Sequence, residues 1–392
     1  MTVKNVPAHQ EPDRHEEGPG YQPRTLVLLG AGYAHLHVLR ALAARPWIGV
    51  QVLLVAPHPR QLYSGMVPGF VAGRYTLEDC VIPLEPLARR GGVRWLQRSV
   101  KALDAARQTL QLDDGSTLQY DWLSVNTGPI QNRDAIDQAI PGAREHGLFV
   151  RPMEAFGVLW PQVREMAATR PLRLAVVGGG AAGIELALAA RHSLPRAAVT
   201  LLTGPTPAGA TYSLPVQRRL LAALQQRHIT VLQDSAVGLS AEAVRLGCGA
   251  SLACDVPLIA TGAQPPLWLA GSGLALDAQG FLAVDPQLRS TSHPQVFAAG
   301  DVSARTDRAL ARSGAHAMRA GPTLTHNLGA ATAGRPLQAH LPSAPSVSLL
   351  SCGDGSALAA WRGFSVEGRW VWWLKNRMDR RFIARYRHAT PA

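Results

Sequence analysis

Cysteine, lysine and long apolar runs are all scarce in this chain of 392 residues, and each scarcity removes a class of explanation. The four cysteines, Cys80, Cys248, Cys254 and Cys352, form no C-x-x-C pair and no zinc spacing, so neither a vicinal redox pair nor a metal site is expected. No apolar run approaches the ~20 residues of a membrane-crossing helix. The opening "MTVKNVPAHQEPDRHEEGPGYQPR" lacks the apolar core of a signal peptide, so residues 1–24 read as a solvated tail on a cytoplasmic protein. Lysine stands only at Lys4, Lys101 and Lys375; the formal charge of +12 is carried by arginine. That excess attracts polyanions. With no stacking-aromatic array or nucleic-acid module beside it, nucleic acid is not an expected partner. Apolar content of 47% with 17% charged residues describes a soluble globular chain with room for two or three domains.

Glycine is present, and its placement is informative. "TLVLLGAGYAHLHVLRALAA" is a strand, a turn with Gly30 and Gly32, and a helix. A dinucleotide fingerprint would carry a third glycine where His35 stands, and an acid after the next strand, "VQVLLVAPHP", where Ala56 and Pro57 stand. His35 implies either a looser helix–strand approach or an imidazole near phosphate. A second turn, "RLAVVGGGAAGIELALAARHSLP", is complete. Gly178 permits the tight turn, Gly180 admits a pyrophosphate, and Gly183 lets the helix pack on its strand. Its following strand ends in Thr203-Gly204, with neither the acid expected for NADH nor an arginine for NADPH, so cofactor preference is unreadable.

The chain also repeats itself. Residues 109–128, "TLQLDDGSTLQYDWLSVNTG", and 243–262, "AVRLGCGASLACDVPLIATG", align without a gap. Asp121 matches Asp255, and Thr127-Gly128 matches Thr261-Gly262. Each is a hairpin followed by an apolar strand, which predicts two nucleotide-binding units of one kind. The repeat makes Cys248 and Cys254 ordinary turn and core residues.

Late in the chain, "SHPQVFAAGDVSA" ends a strand in Gly300-Asp301. With the two turns, this resembles the two-dinucleotide-domain flavoproteins of the pyridine nucleotide-disulfide oxidoreductase superfamily. The resemblance implies an α/β fold of two Rossmann-like domains, with an NAD(P) domain inserted in an FAD domain and a small C-terminal α+β piece. The expected bounds are 25–150 and 263–335 for FAD, 151–262 for NAD(P), and 336–392 for the C-terminal piece. Hinges are expected at "VRPMEAFGVLWPQV" and "TGAQPPLWL". By resemblance FAD binds at Gly30, Gly32, His35, Thr127, Gly128, Gly300 and Asp301, with Asp301 on the ribityl chain. Gly178, Gly180, Gly183, Thr261 and Gly262 hold NAD(P)H, and Glu185 orients the nicotinamide. The region "RQLYSGMVPGFVAGRY" carries Ser64 and Gly65 near the isoalloxazine and lacks the redox cysteines of disulfide reductases. "SGAHAMRAGPTLTHNL" resembles the helix that faces the flavin pyrimidine edge and brings His316 to the cofactor. The C-terminal region resembles type II NADH dehydrogenases. "YSGMVPGFVAG" and "GGGAAGIELAL" resemble the flavoprotein module fused ahead of selenide, water dikinase in some bacteria.

These readings imply hydride transfer from NAD(P)H to FAD and onward to a small-molecule acceptor, a quinone in the leading reading. A flavoprotein acting on sulfur or selenium species, with a vestigial NAD(P) site, is the alternative, and a homodimer is left open. In "RWVWWLKNRMDRRFIARYRH", Val371, Leu374, Met378 and Phe382 recur at helical steps, with Trp370 and Trp373 beside them and arginines around. This predicts an interfacial helix that faces the inner surface of the cytoplasmic membrane through Trp370, Trp373, Leu374, Met378 and Phe382, and that is dispensable for FAD binding.

Overall fold

The computed structural model describes residues 24–310, 312–341 and 347–387. The expected tail, apart from Arg24, lies outside the described residues. Two five-stranded parallel sheets dominate, as the repeat demands. In the first the order is Val296–Ala298, Trp122–Val125, Arg24–Leu29, Val50–Val55, Arg94–Leu96. In the second it is Leu148–Phe149, Val256–Ile259, Arg173–Val177, Ala198–Leu202, Thr230–Leu232. The inner strands are short apolar runs buried on both faces, which is what parallel sheets covered by helices require.

The repeat is preserved down to register. Thr109 pairs with Gln119 and Gln111 with Thr117 in the first hairpin; Ala243 pairs with Ala253 and Arg245 with Ser251 in the second. The matched aspartates also do the same work. Asp121 accepts the Thr25 N–H at 2.6 Å and Asp255 the Arg173 N–H at 2.7 Å, each tying the start of the central strand to its neighbour. Asp255 adds side-chain bonds to Arg173 and Arg170, which hold its carboxyl far below the usual range.

One expected boundary moves, and one expected hinge is helical. Chain from about residue 130 packs with the second sheet: Ile136, Ile140, Ala143 and Phe149 share a core with Val177 and Leu246. The crossover therefore comes near the Ile130–Gln264 bridge, not at residue 150. The supposed hinge at 150–163 is largely the helix Met153–Thr169, whose Phe156 and Trp160 are fully buried. Aromatic residues of that size lock a link when they find a core.

The C-terminal strands Ser348–Ser351, Ala357–Trp361 and Phe364–Gly368 form an antiparallel sheet, followed by the helix Arg369–Arg387. That helix buries Val371, Lys375, Asp379, Phe382, Ile383 and Tyr386. The apolar stripe read from the sequence is thus split. Trp370, Trp373, Leu374 and Met378 are exposed, whereas Phe382 is packed between Tyr63, Tyr33 and Tyr386 and faces no membrane. Among the described residues no helix is long and apolar enough to cross a membrane.

Candidate active site

The first glycine turn opens onto a cleft of about 690 Å³, within the range of cofactor sites. Gly30, Gly32, Ser64, Thr127, Gly128 and Asp301 all line it. His35 does not. It is fully buried, its Nδ1 donating to the Gly30 carbonyl at 2.6 Å and its Nε2 accepting from Ser124 at 2.8 Å. Burial pushes its pKa down to about 4, so it is a neutral plug in the helix–sheet gap and not an anion ligand. The assignment to phosphate is corrected accordingly. Gly300 and His316 line a neighbouring cavity that shares Asp301 with the cleft, and the Gly65 carbonyl is held by Lys375. These three residues do not line the main cleft.

Sequence reasoning missed three residues here. Asn126, buried, accepts at Oδ1 from the Ala34 and His35 N–H groups and donates from Nδ2 to the Ala299 carbonyl, stitching the first turn to the returning strand. Its counterpart in the repeat is Ala260, a difference the alignment already displayed. Tyr33 lines the cleft and bonds the Ser64 hydroxyl at 2.8 Å. Arg151 also lines it, and among the described residues no carboxylate pairs with it. Its charge acts on both Tyr33 and Asp301. No pattern in the sequence marked it.

The cleft suits FAD. The helix Tyr33–Ala44 turns its N-terminus, where phosphate is favoured, toward it. Arg151 supplies a cation with no carboxylate within salt-bridge distance among the described residues, and its charge reaches Asp301. Burial raises the Asp301 pKa while Arg151 and Arg312 pull it back, leaving an acceptor for ribityl hydroxyls. At the adenosine end the expected carboxylate is absent, and the Ala56 carbonyl is already taken by the Trp95 indole at 3.0 Å.

In the second turn, a Cβ on Gly180 would meet open space, whereas one on Gly183 would run into the Gly178 carbonyl. Thr261 Oγ1 is buried without a partner among the described residues, an orphan that a bound ligand would satisfy. Gly262 beside it is exposed. The Thr203 hydroxyl is spent on the Thr206 carbonyl at 2.6 Å, and the Asp234 carboxylate on the N–H groups of Ser235 and Cys248. Nothing there reads a 2′-hydroxyl against a 2′-phosphate.

Glu185, on the helix Ala181–Ser193, accepts the Ser351 N–H at 2.7 Å. Burial raises its pKa to about 7, against the pull of Lys375 and the Ser351 bond, with Asp379 adding to the rise. A carboxyl near 7 can hold or release a proton at working pH. Above the unfolded value of about 4.5 the native state keeps a proton that the unfolded chain has lost, so Glu185 costs stability as pH rises from 4.5 through 7. Glu185→Gln keeps the acceptor and removes the titration. Its melting temperature should match wild type at pH 4.5 and exceed it by about 2–4 °C at pH 8. Parallel melting curves at both pH values would sink the assignment.

Lys375 and Asp379, expected among the solvated charges of an interfacial helix, are buried. Lys375 Nζ donates to Asp379 at 2.7 Å and to the Gly65 carbonyl at 2.6 Å, and the Tyr63 hydroxyl donates to Asp379 at 3.0 Å. Spacing alone could not place them inside, because the burial period runs through the charged positions. The thiols offer no redox pair: burial pushes Cys80 and Cys352 each up to about 12, so neither is a thiolate at neutral pH.

Residues 24–327 match the family model described as pyridine nucleotide-disulphide oxidoreductase. The chain belongs to that family. FAD and a nicotinamide dinucleotide are the cofactors of that family. The chain is 28% identical to the demethylphylloquinone reductase NdbB of Synechocystis, over 42% of this chain and 42% of that protein. It is also 28% identical to the ferredoxin–NAD(+) reductase component of the biphenyl dioxygenase system of Paraburkholderia xenovorans, over 71% and 67%. The sulfide:quinone oxidoreductase structure from Aquifex aeolicus superposes with a TM-score of 0.75 at 17% identity, over 94% and 92% of the two chains, and so shares the fold. The alignment to NdbB spans less than half of that relative.

Proposed function

We propose that this protein is an FAD-dependent NAD(P)H dehydrogenase that delivers electrons to a quinone at a membrane surface. One observation carries the reading: the two nucleotide units converge. Glu185, from the second turn's helix, lies within charge range of Lys375, Asp379 and Tyr63, and the next residue, Ser64, lines the first cleft. When bound, FAD would supply a hydride acceptor for reduced nicotinamide and a store from which electrons leave singly or in pairs. The chain does the rest. The first turn, Arg151 and Asp301 hold the cofactor, and Gly180 and Thr261 admit the nicotinamide dinucleotide. Reducing a quinone to a quinol takes two protons with two electrons, and Glu185 is a half-buried acid suited to supply one.

A lipid-soluble acceptor fits the outer surface. Trp370, Trp373 and Met378 are each more than half exposed beside Leu374, and Arg377 stacks over Trp373 at 5.7 Å from the ring centroid. Indoles with arginines settle at headgroup depth, each cation adding about 1 kcal/mol near anionic lipid. The demethylphylloquinone reductase relative is quinone-linked by name, which supports the acceptor class.

The full chain should bleach its flavin anaerobically on mixing with NADH or NADPH, and should sediment with anionic vesicles at low salt. Trp373→Glu with Met378→Glu, both outward-facing, should abolish sedimentation and slow a long-chain quinone about tenfold, the equivalent of ~1.4 kcal/mol, while sparing a soluble quinone. Equal rates with both quinones, or wild type that never sediments, would rule out the membrane reading.

A further inference from the structure

The pair Lys375–Asp379 is not needed to make the helix Arg369–Arg387 stick. Val371, Ile383, Phe382 and Tyr386 already bury an apolar face. A buried ion pair costs desolvation that its attraction often fails to repay, so apolar residues there would serve adhesion as well or better. The pair's other bonds show what it does hold. Both Asp379 oxygens are committed, one to Lys375 and one to the Tyr63 hydroxyl, and Lys375 reaches past its partner to the Gly65 carbonyl. Both contacts that leave the pair end on the segment Tyr63–Gly65. From the opposite side, the Tyr33 hydroxyl accepts the Ser64 N–H at 2.8 Å, and the same hydroxyl meets the Ser64 Oγ. Ser64 is the residue of this segment that lines the cofactor cleft, and Tyr33 lines it too. Phe382 packs against the rings of both Tyr33 and Tyr63, with centroids 5.5 and 4.6 Å away, and these two rings also touch each other at 5.5 Å, so the three close into one cluster.

We infer that Lys375, Asp379 and Tyr63 form a positioning clamp that ties Ser64, in the wall of the flavin cleft, to the seating of the C-terminal helix through the Tyr63–Gly65 segment. This deepens the reading of the first cleft as the FAD site and rests on it. The clamp residues are positioning residues. They act through the loop, and the loop sets the surroundings of the isoalloxazine. The outer side of the same two helical turns carries the exposed Leu374 and Met378.

The test compares Lys375→Met and Asp379→Asn with Val371→Ala, a fully buried apolar position on the same helix that takes part in none of the clamp's hydrogen bonds. Amide hydrogen exchange at Ser64–Met66 reports the loop without reference to FAD, and the two-electron reduction constant of the bound flavin reports the cofactor. Both clamp variants should speed loop exchange about tenfold. Both should also shift the flavin constant in the same direction by about tenfold, or about 30 mV. Val371→Ala should lower the melting temperature and move neither reading. Lys375→Arg, which keeps the charge and a donor, should restore part of the loop protection. Equal effects from Val371→Ala would make the clamp ordinary packing and overturn the inference. Shifts of opposite sign with unchanged loop exchange would mean that bare charge acts on the flavin, which also overturns it. The yellow colour of the wild-type protein checks the cofactor assignment separately from either outcome.

Discussion

Ending the chain at Gly368 should give protein that is colourless or insoluble. The helix that such a truncation removes contributes Val371, Phe382, Ile383 and Tyr386 to the core, each less than a tenth exposed. At about 1.5–3 kcal/mol for each fully buried side chain, four of them account for about 6–12 kcal/mol. That rivals the whole stability of a typical domain, about 5–15 kcal/mol. The loss falls on the cofactor as well as on the fold, because Tyr63 would be left without the acceptor Asp379 and the Gly65 carbonyl without Lys375. Tyr33 and Tyr63 would also lose the ring of Phe382 packed against both of them. The measurement is the ratio of flavin absorbance to protein absorbance after gel filtration, with the full chain alongside. The truncated form should retain less than a tenth of the full-length flavin. A soluble truncated protein with one FAD per chain would restore the helix to the status of a detachable membrane anchor.

The expected loss of FAD would reverse what the sequence alone suggests for this helix, and the reason is physical. Periodicity locates an apolar stripe, but it does not say which of two adjacent stripes faces the protein. In 369–387 the stripe with better apolar character includes Leu374 and Met378, yet the buried one runs through Lys375 and Asp379. Charged residues pair inside only when both partners and their remaining bonds are supplied, here by Tyr63 and Gly65 from more than 300 residues away in sequence. No window of sequence contains that information. The two-sheet architecture was legible for the opposite reason. Strand, glycine turn, helix and hairpin lie next to one another in sequence, and the repeat shows the same local solution reached twice. The shared jobs of Asp121 and Asp255 follow from it. Within the cleft, Asp301 sits in a recognisable local motif, and the structure places it there. Arg151 sits in none, and its place depends on how the segment after Phe149 crosses between the sheets.

Gly183→Val should leave FAD in place and reduce the rate of flavin reduction by NAD(P)H at least about 100-fold, because the two turns solve one packing problem in incompatible ways. In each, the third position of the fingerprint faces the carbonyl of the first glycine. In the first turn His35 occupies it and hydrogen-bonds the Gly30 carbonyl, with Ser124 behind the ring. The helix there stands far enough from its strand to admit an imidazole. In the second turn the helix comes so close that even a Cβ on Gly183 would collide with the Gly178 carbonyl. A valine there offers no donor to that oxygen, and its branched Cβ lacks a rotamer that avoids it. The helix Ala181–Ser193 must therefore move outward by something like 1 Å, carrying with it its N-terminus, Gly180 and Glu185. A displacement of that size at a site that must hold the nicotinamide in line for transfer can cost about 100-fold. The first cleft does not share this helix, so flavin content and chemical reduction by dithionite should be unchanged. Stopped-flow reduction at saturating NADH and NADPH makes the measurement, with dithionite as the control. A rate within threefold of wild type would mean that nicotinamide binds elsewhere. Joint loss of FAD would mean that the helix shift passes through Ser351 and Lys375 into the flavin wall.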